Sequence, residues 1–191
     1  ISSSPPVFAR VLHKRARDAT VEAERVRIPA VQYSTVRAAV HIASVFAIYL
    51  SFAMLAPAAV DLYYGNDDWT VFAFSAFFTG GLALACALAT QGRPPPISSR
   101  FGFLVVNLLW LTTSAVGAVP LYAASSLDLT LAEAVFEAVS GITTTGATIV
   151  NGLDGLPPGI LLWRSLLQWM GGLGVIAFGL FVLPFLNVGG I

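Results

Sequence analysis

The stretch SGITTTGATI, residues 140–149, sets three consecutive threonines, Thr143, Thr144 and Thr145, ahead of Gly146. It carries no charge and no proline, and it lies between long apolar runs. Oxygen is the only ligand chemistry it offers. Alkali cations are hard and bind oxygen, and a set of backbone carbonyls can replace the water shell of an ion. A backbone that turns successive carbonyls to one side needs a permissive residue, which Gly146 supplies. The threonine hydroxyls can brace such a strand from behind. Neutral carbonyls also let the ion leave, which a carboxylate cage would hinder. Composition alone leaves two readings open: one wall of a cation filter, or a polar hairpin at a surface.

The residues before the threonines predict a short helix over 130–141, within LTLAEAVFEAVSG. Thr130 is its expected N-cap, with Glu133 three residues later as the capping-box partner. Leu131, Ala134, Val135, Ala138 and Val139 form the expected apolar side, with Phe136 toward another face. Glu133 and Glu137, four apart, share a face. Gly141 is expected to end the helix, whose negative dipole end would then face a bound cation. At this length the helix cannot cross a bilayer. Followed by an uncharged turn and the return IVNGLDGLPPG, it reads as a re-entrant loop, a form tolerated only where protein or a water cavity satisfies the backbone. Further on, Arg164 and Gln168 share a helix face. Either Arg164 makes an electrostatic or structural contact behind the turn, with Glu137 as its candidate partner, or it is an interfacial arginine held by headgroups and carbonyls.

Other reactive groups carry little. Ser140 lacks a glycine two residues before it, where Ala138 stands, and neither His13 nor His41 is placed to serve it, so an intramembrane serine protease is set aside. Cys86 is the lone cysteine and reads as a small buried apolar residue. In GGLGVIA (171–177) the glycines mimic a dinucleotide fingerprint. That motif needs a preceding strand, and here the run is apolar and helical, so the glycines read as close-packing positions.

The elements that must hold these groups are membrane helices. The chain has 191 residues, 57% hydrophobic and 10% charged, with a mean hydropathy of +0.80. So few charges cannot cover a soluble surface. Four apolar stretches, about 38–60, 70–90, 101–123 and 159–186, approach or exceed the length needed to span hydrocarbon. The length of the first, after a 37-residue polar lead, argues against a signal peptide. The expected fold is an all-α membrane protein with four transmembrane helices, one re-entrant pore helix and a filter loop. Seven of the ten Lys and Arg residues lie in the first 37. Loop 61–69 has three Asp and no base, loop 91–100 has two Arg and no acid, and the connection 124–158 has four acids and no base. The positive-inside rule then puts the N-terminus in the cytoplasm and both acidic connections outside. Trp69 and Trp163 suit interface belts, Pro120 and Pro184 suit helix ends or kinks, and Asn107, Thr112 and Thr113 suit packing between helices.

AVFEAVSGITTTGAT, followed by GLPPGILLWRSLLQWMGGLGVIAF, resembles the first pore repeat of the Trk/Ktr/HKT potassium transporter superfamily, the TrkH-type membrane subunit in particular. The resemblance runs from about Ala132 to Gly190. It implies potassium uptake across the bacterial inner membrane, by a chain of four repeats around one pore. It implies a basic cytoplasmic tail over 1–37, two extra helices over 38–90, and a first repeat over 101–186. Within that repeat, 101–123 would be the outer helix, 130–141 the pore helix, 142–148 the filter and 159–186 the inner helix. The family's filter glycine falls on Gly146, and the carbonyls that hold potassium fall on Thr144 and Thr145, with Thr143 adjacent. Glu137 and Arg164 would support them. Only one repeat is present, so the chain is expected to be the start of a longer protein. The resemblance further implies a homodimer and a cytoplasmic nucleotide-binding regulatory subunit, with no cofactor, no enzymatic activity and no nucleic acid. Channel-like and ion-coupled transport both remain open. A non-transporting membrane scaffold would explain the spans and leave the threonine turn without a purpose.

Overall fold

The computed structural model describes residues 15, 17, 35–92, 95, 96 and 98–182. Most of the polar segment 1–37, together with Pro184, lies outside them. The described chain is helical, with no strand among the described residues. Its order is α1 (Thr35–Tyr64), α2 (Trp69–Ala89), α3 (Ser99–Ala123), α4 (Leu131–Ile142), a 3-10 turn (Leu153–Gly155) and α5 (Pro158–Val182). All but α4 are long and apolar enough to cross a membrane.

Helix α1 starts ahead of the apolar run and takes in Arg37. The Arg37 guanidinium donates to Gln91 O at 2.5 Å, and His41 Nδ1 lies 3.0 Å from Ala87 O. The two side chains thus serve carbonyls that the end of α2 leaves open. Pro57 has no N–H to offer Ala53, so the winding of α1 is irregular at Met54. The flanking bonds, Met54 N–H to Leu50 O and Ala58 N–H to Met54 O, carry the helix across. Gly65, at φ +74°, turns the chain into α2. Helices α1 and α2 are zipped by Ser51 and Thr79, whose hydroxyls lie 2.8 Å apart.

The core draws on all five helices: α4 packs against α3 and α5, α1 against α2 and α5, and α2 against α3. Leu50, Met54, Phe72, Leu121, Ile160, Trp163 and Leu167 are fully buried there. Phe74, Phe77, Phe78 and Leu82 point outward from α2, as expected when the solvent is hydrocarbon.

Trp163, Asn107, Gly141 and the buried face of α4 differ from expectation, whereas Thr113 and Pro120 agree with it. Trp163 is buried in the core, not at an interface: it packs edge-on against Phe72, and its indole N–H donates to Gly117 O at 3.0 Å. The bond satisfies the one polar atom that makes burial of Trp costly. Asn107 is exposed, because its amide is already satisfied by Phe103 O one turn back. Thr113 is buried and bonds Leu109 O in the same way. Pro120 sits inside the last turn of α3. Gly141 does not end α4, which runs through Ile142 to a C-cap at Thr143. The inward face of α4 is its small and polar side, Ala134, Glu137, Ala138 and Ser140, while Leu131, Val135 and Val139 are exposed. Small residues let neighbouring backbones approach closely, and that contact decides which face turns in.

Candidate functional site

Helix α4 begins with the capping box that its sequence predicts. Thr130 Oγ1 accepts from Glu133 N–H, and Glu133 Oε2 accepts from Thr130 N–H at 2.8 Å and from its hydroxyl at 2.7 Å. These Thr130 bonds hold the Glu133 carboxyl below the usual carboxylate range, the hydroxyl bond first.

The other end of α4 is set by close crossings. Leu167 of α5 fills the space beside Gly117 and Gly141, where an added β-carbon would come within 2.9 Å and 3.1 Å of it. One turn further along α5, a β-carbon at Gly171 would overlap the Ile142 carbonyl. Backbone therefore meets backbone where the threonine turn begins. Among the glycines of GGLG, Gly171 is the one this crossing requires; Gly172 and Gly174 have open space.

The chain then reverses. Thr144 N–H donates to Gly141 O, and Thr145 N–H to Ser140 O. Thr144 stands at φ +57° and Gly146 at φ +72°. The left-handed region is costly for a β-branched residue and ordinary for glycine. Thr143 Oγ1 donates to Val139 O at 2.7 Å and lies 2.8 Å from Thr145 Oγ1. Ser140 Oγ reaches across the turn to Ala147 O at 2.6 Å. The hydroxyls brace the turn while its carbonyls stay open. Among the described residues, the carbonyl oxygens of Thr143, Thr144, Thr145 and Gly146 accept no hydrogen bond, and all four residues are exposed.

Glu137 locks the return limb to the helix. Its Oε1 accepts from Thr148 Oγ1 at 2.7 Å and from Ile149 N–H at 2.8 Å. Its Oε2 faces the Arg164 guanidinium in an ion pair. The Glu137 side chain is wholly buried and that of Arg164 partly so, and a buried charge needs its partner. Gln168, one turn on from Arg164, comes close enough that a β-carbon at Gly146 would lie 3.0 Å from its amide nitrogen. The structure therefore brings all six predicted residues, Glu137, Thr143–Gly146 and Arg164, into one loop and its backing. No cluster of His, Cys, Asp or Glu among the described residues could hold a metal ion, so oxygen at this loop is backbone and hydroxyl oxygen.

Sequence reasoning missed Asp61. Counted as a charge in the loop 61–69, it is in fact fully buried in α1, with Oδ1 accepting from Gly159 N–H at 2.7 Å. The available signal was an acid at the end of an apolar run, paired with a glycine that follows two prolines.

The family described as TrkH, cation transport protein, matches residues 67–191. The Trk system potassium uptake protein TrkH of Escherichia coli (strain K12) is 42% identical over 156 residues, covering 81% of this chain and 32% of the relative. Trk system potassium uptake protein TrkG of the same strain is 39% identical over 160 residues. TrkI of Halomonas elongata is 36% identical over 143 residues, covering 75% of this chain and 29% of that protein. Among solved structures, the potassium transporter TrkH from Vibrio parahaemolyticus aligns with a TM-score of 0.76 at 35% identity, over 81% of this chain and 33% of that one. The chain thus spans about a third of the length of these relatives.

Proposed function

Because the chain belongs to the TrkH family of cation transport proteins, we propose that the protein it is part of takes up potassium through a filter of backbone carbonyls, with residues 143–146 as one of four walls. The family is one of transporters, not enzymes. The observation that carries the filter reading is the row of exposed, unpaired carbonyls from Thr143 to Gly146, held by a turn whose own hydroxyls are tied back. Potassium would bind at Thr144 and Thr145. A desolvated ion needs such oxygens already in place, since each is paired with nothing that must be broken first.

On this reading α4 is a re-entrant pore helix, α3 and α5 are the outer and inner helices of the first repeat, and α1 and α2 precede it. The N-terminus is cytoplasmic, the turn opens to the outer side of the bacterial inner membrane, and the buried Glu137–Arg164 pair holds the loop at depth. By resemblance, the whole protein works as a homodimer with a cytoplasmic nucleotide-binding regulator.

The test is Gly146→Ser in the full-length protein, in cells lacking other potassium uptake systems. A serine must adopt φ +72° and crowd Gln168. Potassium-over-sodium discrimination should fall about tenfold or more, as for misplaced coordinating groups in general. Unchanged discrimination would sink the filter assignment.

A further inference from the structure

The pore repeat begins at α3, so the two helices before it need a purpose. One contact supplies it. Helix α5 starts at Pro158 behind Pro157, which has no side-chain acceptor for the first free N–H groups. That acceptor comes from α1: Asp61 Oδ1 takes the Gly159 N–H at 2.7 Å, 98 residues away in sequence. Gly159 makes room for it, since a β-carbon there would overlap Asp61 Oδ2 and lie 2.7 Å from Pro57 O. Negative charge at a helix N-terminus is favourable.

The arrangement is costly for a mere packing contact. Asp61 is fully buried, and its Oδ2 has no hydrogen-bond partner among the described residues. Asp68, also buried, adds a second acid to the same part of the chain. Apolar residues would dock α1 at less cost, because an orphaned buried oxygen forfeits its hydration. What an apolar residue cannot do is fix the start of α5. Arg164 lies five residues beyond Gly159, about 7–8 Å along the helix. Arg164 faces Glu137, and Glu137 holds Thr148 and Ile149.

We propose that Asp61 is a positioning residue for the filter: it caps the inner helix from the first span and so sets where Arg164 and Glu137 hold the turn. The proposal rests on the potassium-filter reading above. The test measures potassium and sodium uptake by the full-length protein, normalised to the amount in the membrane. Asp61→Ala should lower the potassium-over-sodium ratio about tenfold, the scale on which small misplacement of positioned groups acts. Asp61→Asn keeps the acceptor oxygen and should stay within about twofold of wild type. Gly159→Ala, which denies Asp61 its approach, should behave like Asp61→Ala. A purely structural role would lower protein amount and leave the ratio unmoved. A wild-type ratio in Asp61→Ala overturns the proposal, and so does an Asp61→Asn as defective as Asp61→Ala. Should Asp61→Ala and Gly159→Ala both fail to accumulate, a shorter acceptor in Asp61→Ser is measured. If that also fails to accumulate, the role is one of folding and the proposal falls. Gly146→Ser runs beside them: a normal ratio there defeats the filter reading itself, whereas a changed ratio there with a normal Asp61→Ala defeats only the role of Asp61.

Discussion

Glu137 divides its two oxygens between the loop and Arg164. Glu137→Gln keeps an acceptor for Thr148 and Ile149 but leaves a partly buried guanidinium unpaired. Breaking a fully buried pair costs about 3 kcal/mol or more, and the partial exposure of Arg164 makes the loss here smaller. The melting temperature of the purified full-length protein in detergent should fall accordingly, and potassium uptake with it. Adding Arg164→Met should recover part of the loss, because the orphaned charge is gone; a strictly additive double variant would show that the pair is not coupled. At this scale the grouping of the threonine turn with Glu137 and Arg164 was legible, since residue type and spacing limit which side chains can meet, while their role at an ion is the proposal above. Asp61 was not, because nothing local distinguishes a loop acid from one that caps a helix 98 residues on.

Helix α4 stands on its capping box. Thr130→Ala removes the hydroxyl that caps it, a change worth about 1 kcal/mol in helices generally. Its pH dependence has a definite sign. Glu133 is held below the usual carboxylate range by Thr130, so its contribution is fully present above the ordinary carboxylate pKa. It is lost as pH falls through the lowered, folded value. The melting-temperature gap between wild type and Thr130→Ala should therefore be constant near neutral pH and narrow as pH falls below the ordinary carboxylate range, leaving the part that comes from the Glu133 N–H bond to Thr130. A gap that widens on acidification would contradict the assignment. The start of α4 was legible because the Thr–Glu spacing is a local code. Its end and its buried face were not. Gly141 lies within the helix because its missing side chain is used against Leu167 instead of for a left-handed turn. Ala134, Ala138 and Glu137 turn inward because close approach to α3 and α5, and a partner at Arg164, outweigh the pull of Leu131 and Val139 toward burial.

For the molecule as a whole, the charge pattern of the connections makes a prediction about sidedness. In a Cys86→Ala background, Asp67→Cys in the turn between α1 and α2 should react with an impermeant thiol reagent added outside intact cells. Gln91→Cys, beyond the end of α2, should react only after the membrane is opened. The reverse pattern would overturn the orientation. The four long helices were legible from apolar run length, because a bilayer imposes it. How they meet was not, because glycine-mediated crossings such as Gly117 on Leu167 and Gly171 on Ile142 depend on three-dimensional approach.

The bond between Asp61 and Gly159 also has a consequence in time. A chain leaves the ribosome at about 5–20 residues per second, so the acceptor on α1 emerges about 5–20 s before the amide it will serve. Helix α1 can be seated before α5 exists. When α5 arrives, its otherwise open start finds a carboxylate waiting in a slot that only glycine fits. Order of synthesis and order of assembly then coincide, and α5 is guided into place by a helix made before it.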